Sequence, residues 1–469
     1  MALKIIKWED NRYHHPYRIS DDKNIYALGD GSVFSDDLKS LHKIRNIEHI
    51  PCLIQVFGNN DRGQSNMSTN ELFVQINDTI RTGNLVGVVN TPPDSEKNQL
   101  RVEINSRFDR PGSHYFLIYL LSNVYGFQLY DESIHSADNT ALDVIVCVLF
   151  LEKLREAYRK GLFKVYKRFR YNDFDFKGSF DVSRHIKMNV PFTGKTAYVT
   201  REYTYNNELL CMIRQTIDYV KNKYHGMWNT YINQNVEVGE IENVLEEATP
   251  SYQGSVAYQR SLLCQRSVTH PMFSEYEEVR QLCLRILEEQ GTDIFENSIE
   301  EAYALLIDMS WLWEEFVAQR LLGEENYSHI LANKGRSGMG IYYASQKGPW
   351  YPDFLEKSRD ENARRNIIDA KYKKWDFERD DMHQLLSYLY LTGGHLCGAV
   401  FPIKNGEEKQ DFSRIQLNPY YEFYDEDVYC YKFPFVIPAY DEETDYSVFC
   451  KQMEENIEAW KKAFAEIGR

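Results

Sequence analysis

The apolar side chains of this chain change their spacing twice, and that change restricts the fold to a multidomain mixture of sheets and helices. Residues 1–130 alternate at period two, as half-buried strands do, for example at Glu71–Ile76 and Leu100–Ile104. Helical spacing dominates 131–290, and strand-like and helical segments alternate over 291–469. One hydrophobic core rarely extends over 469 residues. We therefore predict an α+β protein of three domains: a β-rich N-terminal domain for partner or DNA interaction, a mainly helical middle domain with a basic segment, and a C-terminal mixed sheet flanked by helices.

The composition excludes several classes of protein. The formal net charge of −16 excludes a uniformly basic nucleic-acid coat, but not a local basic groove. The eight cysteines form no C-x-x-C pair, so we expect neither a disulfide framework nor a zinc site. Charged and polar residues follow Met1–Lys4, and the longest apolar run, Val144–Leu151, is too short to span a bilayer. We therefore expect a cytoplasmic protein without a signal peptide and without a membrane partner.

The segment Ile367–Tyr372 predicts a strand that carries a carboxylate and an amine on one face. Because side chains alternate along a strand, Asp369 and Lys371 point to the same side. A carboxylate can hold a divalent cation, and a lysine can orient or help to deprotonate a water and offset negative charge, so the pair suits metal-assisted hydrolysis. A charged hairpin tip at Glu356–Asn366 would bring Asp353 beside Asp369, and two hard oxygen ligands suit Mg²⁺. The alternative is an ordinary surface strand.

Two predicted helices supply further candidates. Ser298–Leu322 is typical of a helix, and Glu314 falls in a second, partly apolar stripe of it, where a carboxylate needs a partner such as a cation. Asp380–Leu391 also predicts a helix, with Gln384 and Tyr388 four residues apart on one face. An amide and a phenol there can position a phosphate, a base or a metal-bound water. The alternatives are a solvent-facing glutamate and an ordinary amphipathic helix.

Cationic and aromatic side chains alternate over residues 159–187. Such a run can follow DNA phosphates and stack on bases, or face an acidic surface of a partner, or simply be solvated. The candidate DNA-binding residues are Lys164, Lys167, Arg168, Arg170 and Lys177. Gly194-Lys195-Thr196 lacks the earlier glycine of a phosphate-binding loop, so we expect no nucleotide site there.

In combination, these segments resemble the PD-(D/E)xK nucleases, in the branch with a Gln-x-x-x-Tyr helix. The residues that carry this resemblance are Pro352-Asp353, Asp369-Ala370-Lys371, Gln384 and Tyr388. The resemblance narrows to the McrC subunit of methylation-dependent McrBC restriction systems and covers roughly residues 150–405. The segments that carry it are Leu312–Val317, Tyr351–Asp353, Ile368–Lys373 and, in the middle region, Phe176–Val182 and Glu202–Asp218. The chain departs from the family at Trp313, where Phe is frequent, and at Lys177-Gly178-Ser179, where Arg-Gly is usual.

The resemblance implies roles for these residues. Asp353, Asp369, the Ala370 carbonyl and Glu314 would hold Mg²⁺, with Mn²⁺ as an alternative, and Lys371 would be the catalytic lysine. The supporting residues would be Gln384 and Tyr388. A subunit of this kind cleaves DNA in phage defence with an AAA+ GTPase partner that resembles McrB, and it stimulates that partner. The resemblance also allows dimerisation of the nuclease domain.

Two other functions remain open at this level. The chain could be a non-catalytic adaptor that activates an AAA+ partner, or a stand-alone nuclease of the RecB type. The intact set of acids and a lysine favours cleavage over a purely adaptor role, and the large N-terminal region argues against a stand-alone nuclease.

Overall fold

The structure is a computed structural model of the 469-residue chain. The residues it describes are 3–14, 45, 52–56, 72–76, 79–91, 99–110, 113–125, 141–254, 267–288, 303–323, 325–329, 341–344, 347–358, 360, 363–406, 411–417 and 427–467.

Strands occur in both the N-terminal and the C-terminal parts of the chain, with a short group in the middle. In chain order they are β1 (Leu3–Glu9), β2 (Tyr13–His14), β3 (Cys52–Val56), β4 (Phe73–Ile76), β5 (Thr79–Thr82), β6 (Leu85–Asn90), β7 (Gln99–Asn105), β8 (Val165–Asp173), β9 (Ser179–Phe180), β10 (Thr196–Thr204), β11 (Tyr303–Asp308), β12 (Tyr327–His329), β13 (Ile341–Ala344), β14 (Lys347–Trp350), β15 (Phe354–Glu356), β16 (Arg365–Ala370), β17 (Gly393–Lys404), β18 (Ser413–Leu417) and β19 (Val428–Ile437).

The helices are concentrated in the middle of the chain, and they match most of the predicted helical segments. They are α1 (Tyr115–Tyr125), α2 (Ala141–Tyr158), α3 (Val182–Asn189), α4 (Glu208–Lys223), α5 (His225–Gln234), α6 (Val236–Ala248), α7 (Glu275–Glu288), α8 (Met309–Phe316), α9 (Arg379–Thr392) and α10 (Tyr446–Ile467). A 3-10 turn covers Pro271–Phe273, and a π-helix covers Val317–Leu322. Among the residues described, no helix is both long and apolar enough to cross a bilayer.

The chain divides into two compact units, whereas the sequence predicts three domains. One unit contains residues 1–142 and 298–469, and the other contains residues 143–297. The mixture of helices and mixed sheets agrees with the predicted α+β class. The N-terminal part is not purely β, however, because α1 follows its last strand and is buried along most of its length.

A five-stranded sheet links the N-terminal part to the segment near residue 300. Its order is β1-β7-β6-β11-β3, and β11 pairs antiparallel with β6 and parallel with β3. The predicted helix over Ser298–Leu322 is therefore wrong for Tyr303–Asp308, which is a strand. Its short apolar run has no periodicity that separates a buried strand from a buried helix. Helix α8 begins only after Asp308, whose carboxylate accepts hydrogen bonds from the Ser310 and Trp311 N–H groups.

The middle unit is not wholly helical. Strand β8 pairs antiparallel with β10, which also pairs with β9. The predicted basic segment thus lies largely on a strand, and its side chains alternate between exposed and partly buried. Helices α2, α4, α5, α6 and α7 all carry buried apolar residues of this unit, including Val146, Leu210 and Ile241.

The C-terminal sheet positions the candidate site. Its order is β12-β15-β16-β17-β19-β18, with β16, β17 and β19 parallel at the centre and β15 antiparallel to β16. Helix α9 packs its buried Leu385 and Leu389 against the apolar cluster of this sheet, which includes Ile367 and Ala399. The π-helix and β12 continue the chain from α8 towards β15.

Candidate active site

Two buried aspartates meet at adjacent strands of the C-terminal sheet. Asp353 directly precedes β15, and Asp369 is the penultimate residue of β16. Because Phe354 pairs with Ile368, the same antiparallel register brings Asp353 beside Asp369. The Ala370 N–H donates to Asp353 Oδ2 at 2.8 Å. The exposed fractions of the two aspartates are only 9% and 2%, so both carboxylates are withdrawn from solvent.

Lys371 lies next to this pair. Its Nζ is 2.7 Å from Asp369 Oδ2 and 3.4 Å from Asp381 Oδ1. Burial alone would lower the pKa of Lys371, but the carboxylates of Asp369 and Asp353 outweigh it and raise that pKa above its ordinary value. The geometry therefore favours the ammonium form, which donates hydrogen bonds and offsets negative charge.

Negative charge accumulates around Asp353. Burial raises the pKa of Asp353 well above its ordinary value, and the carboxylates of Asp369 and Glu314 raise it further, while Lys371 lowers it only in part. Like charges held together in a dry site disfavour ionisation. A divalent cation would relieve both the repulsion and the lost hydration.

Glu314 reaches this region from α8, but its carboxylate is directed at a histidine. Its Oε1 lies 2.6 Å from Nε2 of His329, the last residue of β12. His329 also lies beside Phe354, with ring centroids 4.9 Å apart. Within the described parts of the chain, no three His, Cys, Asp or Glu side chains form a group that could hold a metal ion. The structure thus brings together Asp353, Asp369 and Lys371, with Glu314 close enough to act on Asp353 electrostatically.

Gln384 and Tyr388 do share one face of α9. Gln384 Nε2 donates to Tyr388 Oη at 3.2 Å. Burial raises the pKa of Tyr388, the hydrogen bond from Gln384 opposes this, and the Asp369 and Asp353 charges add to the rise. Tyr388 is buried and within electrostatic reach of the aspartates, whereas Gln384 is exposed.

Sequence reasoning missed two residues beside the site. Asp381 pairs with Lys371 and also with Lys373, at 2.8 Å from its Nζ. Burial tends to raise the pKa of Asp381, but Lys373 and Lys371 outweigh it and lower the pKa. Asp381 lies in the first turn of α9, which Glu378 precedes, and only the fold brings its carboxylate to the two lysines. His329 gave no signal among twelve scattered histidines, because only the pairing of β12 with β15 places it here.

The candidate DNA-binding residues of the middle unit differ in their surroundings. Lys164 Nζ lies 4.1 Å from the centroid of the Tyr205 ring, and Lys167 Nζ lies 2.6 Å from Glu208 Oε1. Arg168 and Arg170 are exposed on alternate positions of β8. Lys177 is also exposed, with its Nζ 3.8 Å from Asp175 Oδ2.

Apolar side chains are also exposed in this unit, around β9 and α3. Phe174 and Phe192 are 70% and 71% exposed. The other exposed apolar members of this surface, which we call the α3 surface, are Phe176, Phe180, Val182, Ile186, Met188 and Val190. Gly194-Lys195-Thr196 adjoins it and leads into strand β10, not into a helix, as a phosphate-binding loop would.

Comparisons with known proteins give a family match and similarity to solved structures. The family described as "McrBC 5-methylcytosine restriction system component" matches residues 80–402. No curated protein matches. A solved structure of Thermococcus gammatolerans McrB AAA+ hexamers with bound McrC is 13% identical, with a TM-score of 0.48, and the similarity covers 99% of this chain and 100% of that one. A structure of the McrBC complex from the same organism is also 13% identical, with a TM-score of 0.29, covering 67% of this chain and 85% of that one.

Proposed function

Because the chain belongs to the McrBC family of 5-methylcytosine restriction system components, we propose that it is the DNA-cleaving subunit of such a system. It hydrolyses phosphodiester bonds at the site on β15 and β16, with Mg²⁺ as the cofactor. The observation that carries this proposal is the buried pair Asp353 and Asp369 with Lys371 2.7 Å from Asp369. The central parallel strands and the antiparallel β15 support assignment of this sheet to the PD-(D/E)xK nucleases.

The chemistry of the donor set fits a hard divalent cation. The carboxylates of Asp353 and Asp369 and the carbonyl of Ala370 would hold Mg²⁺, or Mn²⁺, since both ions prefer oxygen ligands. Glu314 is the further candidate ligand, and His329 fixes the direction of its carboxylate. A cation bound there supplies a Lewis acid and lowers the pKa of a water.

The protein's own residues then orient the substrate and balance charge. The ammonium of Lys371 donates to a phosphate oxygen and stabilises the negative charge that develops there. Burial in a dry site strengthens this interaction relative to water. The Gln384 amide holds the Tyr388 hydroxyl and so supports the wall of the site.

A second role, stimulation of an AAA+ GTPase partner, is favoured by the α3 surface. Monomeric proteins rarely expose so many large apolar side chains together, and such patches commonly bind other proteins. We assign GTP hydrolysis to the partner, since Gly194-Lys195-Thr196 does not form a phosphate-binding loop. The exposed Arg168 and Arg170 are the better candidates for DNA contact, because Glu208 neutralises Lys167. Dimerisation of the nuclease site remains part of the proposal.

Asp369→Ala tests the cleavage assignment. We expect it to reduce DNA cleavage at least about 100-fold, as the loss of a group that stabilises developing charge does. Stimulation of GTP hydrolysis should be unchanged. The assay combines the full chain, the GTPase partner, GTP, Mg²⁺ and methylated DNA, with the exposed Asp411→Ala as the matched control. Cleavage by Asp369→Ala at the wild-type rate would contradict the site, and a wild type that stimulates but never cuts would favour the adaptor.

A further inference from the structure

The peptide that carries Lys371 lies just outside the regular part of its strand. Strand β16 ends at Ala370, so Lys371 and Tyr372 lie just beyond the regular strand. On one side, the Lys371 N–H donates to the carbonyl of Val400 at 2.9 Å. A side chain whose Nζ must lie within hydrogen-bond distance of Asp369 requires more support than this single bond, because small displacements in an active site reduce rates strongly.

The remaining support comes from the residues that follow β7. Arg107 Nη2 donates to the backbone carbonyl of Tyr372, and its guanidinium carbon lies 4.4 Å from the centroid of the Tyr372 ring. Ser106 Oγ and Tyr372 Oη are 3.0 Å apart, and the rings of Phe108 and Tyr372 are 5.6 Å apart. Three successive residues thus hold one tyrosine through its carbonyl, its hydroxyl and its ring.

Arg107 is held in turn by Asp10, which directly follows strand β1. Its backbone N–H donates to Asp10 Oδ1 at 2.6 Å, and its Nη1 lies 3.7 Å from Asp10 Oδ2. Burial raises the pKa of Asp10 to about 6, although Arg107 lowers it. A buried pair in which burial costs more than the attraction returns is a poor source of stability. The contribution of the pair is geometric, since it sets the direction of the guanidinium.

We propose that Arg107 is a positioning residue for the nuclease site, and that it acts through Tyr372 on Lys371. This inference rests on the proposed function of Lys371. The N-terminal sheet then has a structural role at the active site, because the residues that follow its strand β7 hold Tyr372. The Tyr372 carbonyl needs a hydrogen-bond donor, and the Tyr372 ring stacks best on a planar cation. Arginine supplies both groups, whereas lysine has no planar cation.

The variants Arg107→Met and Arg107→Lys test the proposal. Arg101→Met is the matched control, because Arg101 is similarly buried in β7 and pairs with Glu103, not with Tyr372. Both measurements use the full chain. The first gives kcat and KM for DNA cleavage in the presence of the partner, GTP and Mg²⁺. The second is the rate at which acetic anhydride labels Lys371 in the absence of metal and DNA. Mass spectrometry quantifies the labelling, with the exposed Lys177 as the internal reference.

We expect Arg107→Met to lower kcat about 10-fold or more with KM changed less than about 2-fold, because binding of DNA is untouched while the lysine is displaced. Lys371 labelling should rise several-fold as its ion pair with Asp369 loosens. Arg107→Lys should show smaller changes in the same directions, and Arg101→Met none.

Wild-type values of both kcat and Lys371 labelling in a folded Arg107→Met would overturn the proposal. If that variant does not fold, Arg107→Lys decides by the same criteria. A wild type that cleaves nothing refutes the proposed function instead, and the labelling of Lys371 still decides whether Arg107 positions it.

Discussion

Replacing Asp109 by Asn should change how the stability of this chain depends on pH. Asp109 accepts hydrogen bonds from the Phe116 N–H at 2.7 Å, the Leu117 N–H at 3.2 Å and the Tyr440 hydroxyl at 3.0 Å. All of these favour the carboxylate. Burial nevertheless raises the pKa of Asp109 from 3.8 to about 7, with a small addition from Asp10. The folded state therefore prefers the protonated acid.

The sign and size follow from linkage. A folded pKa above the unfolded one gives stability that is complete below pH 3.8 and is lost as the pH rises through about 7. The two pKa values of Asp109 differ by about 3, and each pKa unit corresponds to ~1.4 kcal/mol, so the loss approaches about 4 kcal/mol by pH 8. Asparagine resembles the protonated acid at every pH. Asp109→Asn should thus match the wild type near pH 4 and be more stable by about 4 kcal/mol at pH 8.

The measurement is the free energy of unfolding in urea between pH 4 and pH 8 for the wild type and Asp109→Asn. Asp175→Asn is the control, because it removes the same charge from a side chain that is 80% exposed. Its difference from the wild type should stay small throughout. An Asp109→Asn protein that is less stable than the wild type at pH 8 would refute the reasoning, since the hydrogen bonds from α1 would then outweigh burial.

Three further outcomes are expected. Gly87→Ala should destabilise the chain by about 2–3 kcal/mol in thermal denaturation, because the added Cβ would lie 2.0 Å from a carbonyl oxygen of β11. The control Gly239→Ala should leave stability unchanged, because its Cβ would meet only a methyl group at 3.8 Å. Equal melting temperatures for the two variants would contradict the prediction. Arg168→Glu should weaken DNA binding more than Lys167→Glu does, since binding to DNA phosphates requires a charge that no carboxylate neutralises. The measurement is fluorescence anisotropy of labelled DNA at several salt concentrations. Identical salt slopes for both variants and the wild type would exclude this surface. Phe192→Ser should lower stimulation of the GTPase partner without lowering the melting temperature, and full stimulation would argue against the α3 surface.

Local patterns were sufficient to predict the parts of the site that lie close together in sequence. Asp353 and Asp369 are joined by one short hairpin, so period-two alternation and a charged tip were enough to bring them together. Gln384 and Tyr388 share a helix face for the same reason, because the spacing of four residues fixes it. Helix α9 was also predicted close to its bounds, since Asp380–Leu391 lies within the observed Arg379–Thr392.

Contacts between distant segments could not be predicted in this way. The strand β11 has an apolar run that fits either period, and its partners β3 and β6 lie far upstream. His329 and Arg107 reach the site only because of strand pairing and a loop after β7, which no local spacing encodes. Helix α1 was missed because its residues are apolar on all sides, a pattern that periodicity does not resolve.

The central position of β11 has a practical consequence for truncation. A fragment that starts near residue 291, as the predicted nuclease domain would, keeps β11 but removes both of its neighbours. Leu305, Leu306 and Ile307, which are fully buried in the intact chain, would then lie on a strand with two open edges. Such a fragment should aggregate on expression, so a soluble version requires co-expression of residues 1–142 as a separate chain.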